Sequence, residues 1–277
     1  MKRPINDLIT HLKQYKDAVL IVGSKTLQRE LPPQDNEEEE EGYIRKEPLF
    51  FQPGESSRNV FSRKTMVKNP NMFWQFYEQM ILKDPEESLE TYDTIKEFIN
   101  MNLIKSVIDF NTDGLLKDIK PLYIPMKGNR DIVQCVKCNK TYNISDINLN
   151  VEEPIICSDI EGDCKGKIKP TIPFYGEKYD AINITNMFHE IFTYDDNDIA
   201  TGLNTHTLIL IGTNFTEDLL DEIIRGYNQF KTRQNNAFSV FITDNDDMFM
   251  NSYLADFGTT YDINESVKKL IDMLKEW

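Results

Sequence analysis

Four cysteines at fixed spacing constrain this chain more than any other feature. Cys135 and Cys138 form a C-x2-C pair, eighteen residues follow, and Cys157 and Cys164 close a C-x6-C pair. They are all the cysteines the sequence has. A C-x2-C turn lets two thiolates converge on one ion at about 2.3 Å each, and four thiolates leave no vacant coordination position. The expected role is therefore a structural zinc site in a module running from Val133 to about Ile168. The alternatives are unmetallated thiols or a disulfide, which needs an oxidising compartment. Met1 to Val22 lacks the basic, apolar, small-residue order of a signal peptide, being interrupted by Lys13, Lys16 and Asp17. The second cysteine pair is wider than usual, with Asp159, Glu161, Gly162 and Asp163 in the loop between its ligands.

Around the module, apolar runs alternate with amphipathic stretches. Ile5 to Tyr15 reads as a helix with Leu8 and Leu12 on one face. Ala18 to Val22 is a continuous apolar run ending at Gly23-Ser24, the pattern of a parallel strand covered on both faces. Residues 28–64 carry Pro32-Pro33, the run Glu37 to Glu41 and Pro53-Gly54, and read as a long loop. Helices are expected from Asn69 to about Lys83, where Phe73, Phe76, Tyr77 and Met80 share a face, and from about Ser88 to Met101. Lys105 to Phe110, Tyr123 to Pro125, Thr207 to Ile211 and Ala237 to Thr243 read as strands. Glu217 to Phe230, with Thr216 as N-cap, and Asn264 to Lys275 read as helices. Strands alternating with helices predict an α/β fold with a parallel sheet wrapped on both faces.

The 277 residues carry a formal net charge of −15, so phosphate backbones repel the chain and no nucleic-acid partner is expected. The acidity favours solubility, and its sharper reading is a basic protein or peptide partner. No apolar run approaches the roughly 18–20 residues of a membrane span, so neither a membrane partner nor an export signal is expected, and the expected location is intracellular: cytoplasmic or nuclear, or the host cytosol for a viral source.

In open α/β sheets ligands collect at the carboxyl ends of the strands. Three strand ends here are small or polar: Val22-Gly23-Ser24, Asp109 to Gly114, and Ile211-Gly212-Thr213-Asn214. Glycine lets a ligand approach the backbone, and hydroxyls and amides satisfy ribose and phosphate oxygens. Each segment alone reads more simply as a chain turn; together they suggest a nucleotide site. No nucleophilic triad is visible, and His11, His189 and His206 read as structural or surface residues.

The order of these features resembles the sirtuins, the NAD-dependent protein deacylases and ADP-ribosyltransferases. Asn69-Pro70 with Phe73-Trp74 is similar to the family's Asn-Pro-x-x-Phe-Trp helix. Asn111, Asp113, Gly114 and Leu115 resemble the end of its Thr-Gln-Asn-Ile-Asp motif. The cysteines sit where the family inserts its zinc module. Lys169-Pro170 through Tyr175-Gly176-Glu177 resembles the Arg-Pro to Phe-Gly-Glu segment, and Ile211-Gly212-Thr213 the Gly-Thr-Ser strand end. The resemblance implies a Rossmann-like domain over residues 1–132 and 169–277, a zinc-binding module over 133–168, and a helical segment of about 66–104 assigned to the small lobe. It implies NAD or ADP-ribose between the lobes. Asn111 and Asp113 would face the nicotinamide ribose and are the catalytic candidates, while Gly23, Ser24, Gly212 and Thr213 would lie near phosphate or adenosine.

The departures cut the other way. Gly23-Ser24-Lys25-Thr26-Leu27 stands where the family has Gly-Ala-Gly-Ile-Ser, and no Pro-Asp-Phe-Arg follows. Asp109-Phe110 replaces Thr-Gln. Lys127-Gly128 aligns with the catalytic His-Gly, and lysine, ordinarily charged at neutral pH, is a poor general base. The expectation is a divergent sirtuin-like protein without conventional deacylase activity, acting as a nucleotide-binding or interaction module. The alternatives are an active NAD-dependent deacylase, ADP-ribosyltransferase or NAD-cleaving enzyme, and an unrelated α/β protein with a zinc ribbon.

Overall fold

A continuous apolar strand has two faces to bury, and the first strand, β1 (Ala18–Val22), is wholly buried. Its side chains alternate: Ala18, Leu20 and Val22 enter one hydrophobic core, Val19 and Ile21 another on the opposite face. The computed structural model describes residues 5–23, 26, 60–83, 89–160, 163–174, 177–213, 218–233, 236–243, 255–259 and 262–276. Ser24, the Glu37–Glu41 run and most of the loop expected over 28–64 lie outside them. A helix already begins at Arg63, where the side chain of Ser62 accepts the Thr65 N–H as an N-cap.

Around β1 stands a six-stranded parallel sheet. Helix α1 (Ile5–Tyr15) precedes β1; α2 (Arg63–Lys68), α3 (Pro70–Phe76) and α4 (Leu89–Asn100) follow it. Next come β2 (Ile104–Asp109), β3 (Leu122–Pro125), β4 (Ile132–Cys135), β5 (Thr141–Asn143) and β6 (Ile168–Pro170). Helix α5 (Ala181–Ile191), the hairpin β7 (Phe192–Tyr194) and β8 (Ala200–Leu203), β9 (Thr207–Ile211), α6 (Asp218–Lys231), β10 (Phe238–Ile242), β11 (Phe257–Thr259) and α7 (Ile263–Glu276) follow among the described residues. The main sheet runs β11-β10-β9-β1-β2-β3. Its first core takes residues from α1, α4 and α7, its second from α5 and α6.

The smaller lobe is built differently. β4 pairs antiparallel with β5 and β6. This sheet shares a third core with Met66, Phe73, Trp74 and Tyr77. Pro70 occupies the first turn of α3, where its missing N–H costs nothing, and a π-helical turn, Tyr77–Ile81, continues the helix. The Tyr77 hydroxyl donates to Arg130 O at 2.7 Å. Glu177 ties the lobe together, accepting from Arg63, Lys169 and the Phe174 N–H. Burial pushes its carboxyl up, but these donors outweigh it and hold the group below the usual range.

The helical stretch expected in the small lobe over 66–104 divides. α2 and α3 belong to the third core, whereas Tyr92, Ile95, Phe98 and Ile99 of α4 pack into the first core along α7. α4 lies against α7 and covers that face of the main sheet with it. Among the described residues, no helix is long and apolar enough to cross a membrane.

Candidate nucleotide crevice and cysteine centre

The chain lays down β1, β2 and β3 in one direction, then returns to β9 on the other side of β1 and continues to β10 and β11. The strand order therefore reverses between β1 and β9, and the crevice at their carboxyl ends is where such sheets take ligands. Gly23, Gly212 and Thr213 are brought together there. Gly23 N–H donates to Ile211 O at 2.9 Å, and Gly212 N–H to Ile242 O at 2.8 Å. A Cβ on Gly23 would lie 2.4 Å from Thr213 Cα and 2.5 Å from Gly212 O. Glycine is thus required there by strand packing itself, before any ligand is considered.

Beside these residues, the end of β2 carries a buried polar network. Asn111 Nδ2 lies 3.1 Å from Gly23 O, 3.1 Å from Thr26 Oγ1 and 2.9 Å from the Tyr92 hydroxyl. The Tyr92 hydroxyl donates to Asp113 Oδ2 at 2.7 Å, and the Leu115 N–H donates to Asp113 Oδ1 at 2.7 Å. Gly114, at φ +65°, makes the turn between them. Asp109 is fully buried. Its Oδ1 accepts the Asn111 N–H and its Oδ2 the Tyr123 hydroxyl, both at 2.9 Å. Burial, then the nearby Asp113 carboxyl, pushes the Asp109 carboxyl up to about 8. Burial and then Asp109 likewise raise Tyr92 and Tyr123, which stay protonated as donors.

One polar atom stands out in this network. Among the described residues, Asn111 Oδ1 is buried without a hydrogen-bond partner, a state that calls for a donor. A ligand donor, such as a ribose hydroxyl or a carboxamide N–H, fits it. Lys127 follows Met126, whose N–H is bound to Asp109 O at 2.8 Å, so it stands close to the end of β2. Gly128 beyond it has φ +75°, and a Cβ there would lie 2.6 Å from Thr171 O.

Sequence reasoning brought Gly23, Asn111, Asp113, Gly212 and Thr213 to one place but missed Tyr92, Tyr123 and Thr26. A tyrosine on the apolar face of a helix carries no signal beyond core packing. The histidines lie elsewhere. His11 Nε2 is 3.2 Å from His206 O, and His206 Nδ1 is 2.7 Å from Asp17 Oδ2 at the amino end of β9, with Tyr15 stacked on the His206 ring at 3.9 Å. His189 is exposed on α5.

The four cysteines converge. Their sulfurs all lie within 4.8 Å of one another, with Cys135 and Cys164 at 3.7 Å and Cys138 and Cys157 at 3.7 Å. A disulfide needs about 2.05 Å, whereas the edge of a tetrahedron with 2.3 Å metal–sulfur bonds is roughly 3.8 Å. The C-x2-C turn closes with Asn139 N–H to Cys135 O at 3.0 Å and Lys137 N–H to Cys135 Sγ at 3.4 Å. The second loop closes with Cys157 N–H to Gly166 O at 2.8 Å. Gly166 has no room for a side chain, since its Cβ would lie 2.4 Å from Cys135 Sγ.

The backbone and the neighbouring sulfurs act on the cysteines in opposite directions. Burial works against the Cys135 thiolate, yet the backbone N–H groups of Cys138 and Lys137 outweigh it and bring that thiol down to about 6. At Cys157 the Tyr142 hydroxyl favours the thiolate, but burial and the Cys138 and Cys135 sulfurs prevail and push it up to about 11. The donor set and its sulfur separations fit zinc.

Comparison with known proteins agrees with this geometry. The model of the Sir2 family matches residues 47–215. The NAD-dependent protein deacetylase of Thermotoga maritima is 29% identical over 128 residues, covering 44% of this chain and 49% of that protein. The chain thus matches about half the length of its curated relative. Among solved structures, Sir2Tm bound to a propionylated peptide superposes with a TM-score of 0.65 at 18% identity, over 98% of both chains. A complex of Sir2 with a p53 peptide and NAD+ gives 0.66 at 18% identity, over 99% of this chain and 100% of that one. At such identity these two structures speak for the fold, and the family match extends over more than half of the sequence: the chain belongs to the Sir2 family.

Proposed function

We propose that this chain is a nucleotide-binding member of the Sir2 family that takes NAD or ADP-ribose at the carboxyl ends of β1, β2 and β9, without the histidine-assisted deacylation of its relatives. The observation that carries the reading is the pairing of a buried polar network at the end of β2 with a replaced base. Asn111 and Asp113 are held by Tyr92, Thr26 and Leu115, and Asn111 Oδ1 is left to receive a ligand donor. At the position matched to the family's base, Lys127 in its charged form has three donors and no acceptor. Asn111 and Asp113 would hold the nicotinamide ribose side, and Gly23, Ser24, Gly212 and Thr213 the phosphates and adenosine. When bound, NAD supplies a ribose carbon from which nicotinamide can leave. The chain's own part is to orient that ribose from Asn111 and to hold Asp113 fixed through the Tyr92 hydroxyl.

A second reading, a working NAD-cleaving enzyme or transferase, is favoured by the same retained Asn111 and Asp113. Calorimetry and a nicotinamide-release assay separate the two. The expected result is binding of NAD and ADP-ribose, abolished in Asn111→Ala, with no nicotinamide released. Absence of binding at millimolar ligand removes the nucleotide reading. Nicotinamide release by the wild type but not by Asn111→Ala removes the non-catalytic one. Gain of deacylase activity in Lys127→His would indicate that the pocket is otherwise complete. The formal charge of −15 supports a basic protein or peptide as partner.

A further inference from the structure

The Tyr142 hydroxyl lies 3.0 Å from Cys157 Sγ, inside the layer of groups that surrounds the four sulfurs. Tyr142 stands on β5, opposite Val133 of β4, the strand that also carries Cys135. Its ring is partly buried against the third core, which fixes the direction of the hydroxyl. The Lys140 ammonium sits 5.5 Å from the centroid of that ring. A phenol has one hydrogen to give, and a thiolate is a good acceptor for it. A cation over the ring face is attracted to its π electrons and, by drawing density from the ring, strengthens the hydroxyl as a donor. The Lys137 N–H on Cys135 Sγ is supplied by the backbone of the C-x2-C turn. The Tyr142 contact depends on a side chain, and no part of the cysteine spacing requires it.

We propose that Tyr142 is a positioning residue of the sulfur centre, whose hydroxyl holds the Cys157 thiolate toward the shared cation and slows the cation's loss. The proposal rests on the zinc reading of the four cysteines. Partners of this kind commonly change metal affinity by about 10–100-fold when removed.

The test uses the zinc-loaded full chain and its cobalt-substituted form. Transfer of zinc to a chromogenic chelator is expected to be about 10-fold faster in Tyr142→Phe. The sulfur-to-cobalt charge-transfer band is expected to move to lower energy, because a thiolate that loses a hydrogen bond holds its lone pairs less tightly. Lys140→Met keeps the hydroxyl and should move the band the same way by less. A wild type without stoichiometric metal removes the zinc reading and this proposal together. A loaded wild type whose release rate and band are matched by Tyr142→Phe overturns the role of Tyr142 alone. Should Tyr142→Phe fail to fold, 3-fluorotyrosine in place of Tyr142, a stronger hydrogen-bond donor, is expected to move the band to higher energy, and an unmoved band overturns the role.

Discussion

Gly23 is pressed against the backbone of Gly212 and Thr213, with no side chain free to move aside. Gly23→Ala should therefore cost about 1–3 kcal/mol or more, as overpacking does, and urea unfolding measures it. Asp109 gives a pH prediction at the same scale. Its folded pKa of about 8 stands above the unfolded value of about 3.9, so the native state holds a proton that the unfolded chain releases. That contribution to stability is fully present below about pH 4, declines as pH rises, and is gone once pH passes about 8. Melting temperatures of Asp109→Asn relative to wild type should accordingly shift in the variant's favour between pH 5 and pH 8.5; a difference independent of pH would count against the buried acid. Asn111 and Asp113 were legible in the sequence because a motif carries them. Tyr92 and Tyr123 were not, because only the folded chain brings their hydroxyls from α4 and β3 to the end of β2.

At the scale of elements, the aromatic helix α3 and the cysteine centre share one hydrophobic core. Phe73 and Trp74 meet edge-to-face at 4.9 Å, and Phe73 meets Phe174 at 5.9 Å. Phe73→Ala should cost about 3–5 kcal/mol by chemical denaturation and weaken zinc retention with it. Removing the metal with a strong chelator should change the fluorescence of Trp74, read in a Trp277→Phe chain, while the strand signal of the main sheet persists; an unchanged spectrum would separate the helix from the centre. The strands β1 and β9 were legible as unbroken apolar runs, and α7 from its periodicity. The hairpin of β7 and β8 and the edge strand β11 escaped notice, since they are short and carry no continuous apolar pattern. The placement of α4 was missed because amphipathicity says that a helix has a buried face but not which core receives it.

For the molecule as a whole, the charge of −15 predicts that a basic peptide partner binds more weakly as salt rises through the physiological range; titration between 50 and 300 mM salt, on the order of a Debye length's contraction from about 14 to 6 Å, checks it. The parallel α/β fold was readable from alternating strands and helices, while the strand order was not, because neighbours in a sheet are chosen by long-range packing. That order has a consequence for synthesis. β1 is made before both of the strands it pairs with: Val19 pairs with Ser106 on one side and with Leu208 on the other. A nascent chain must therefore carry an apolar ribbon with one open edge until β9 has been made, the kind of exposure that invites aggregation. The interval between β1 and β9, rather than the number of strands, sets how long that edge stands open.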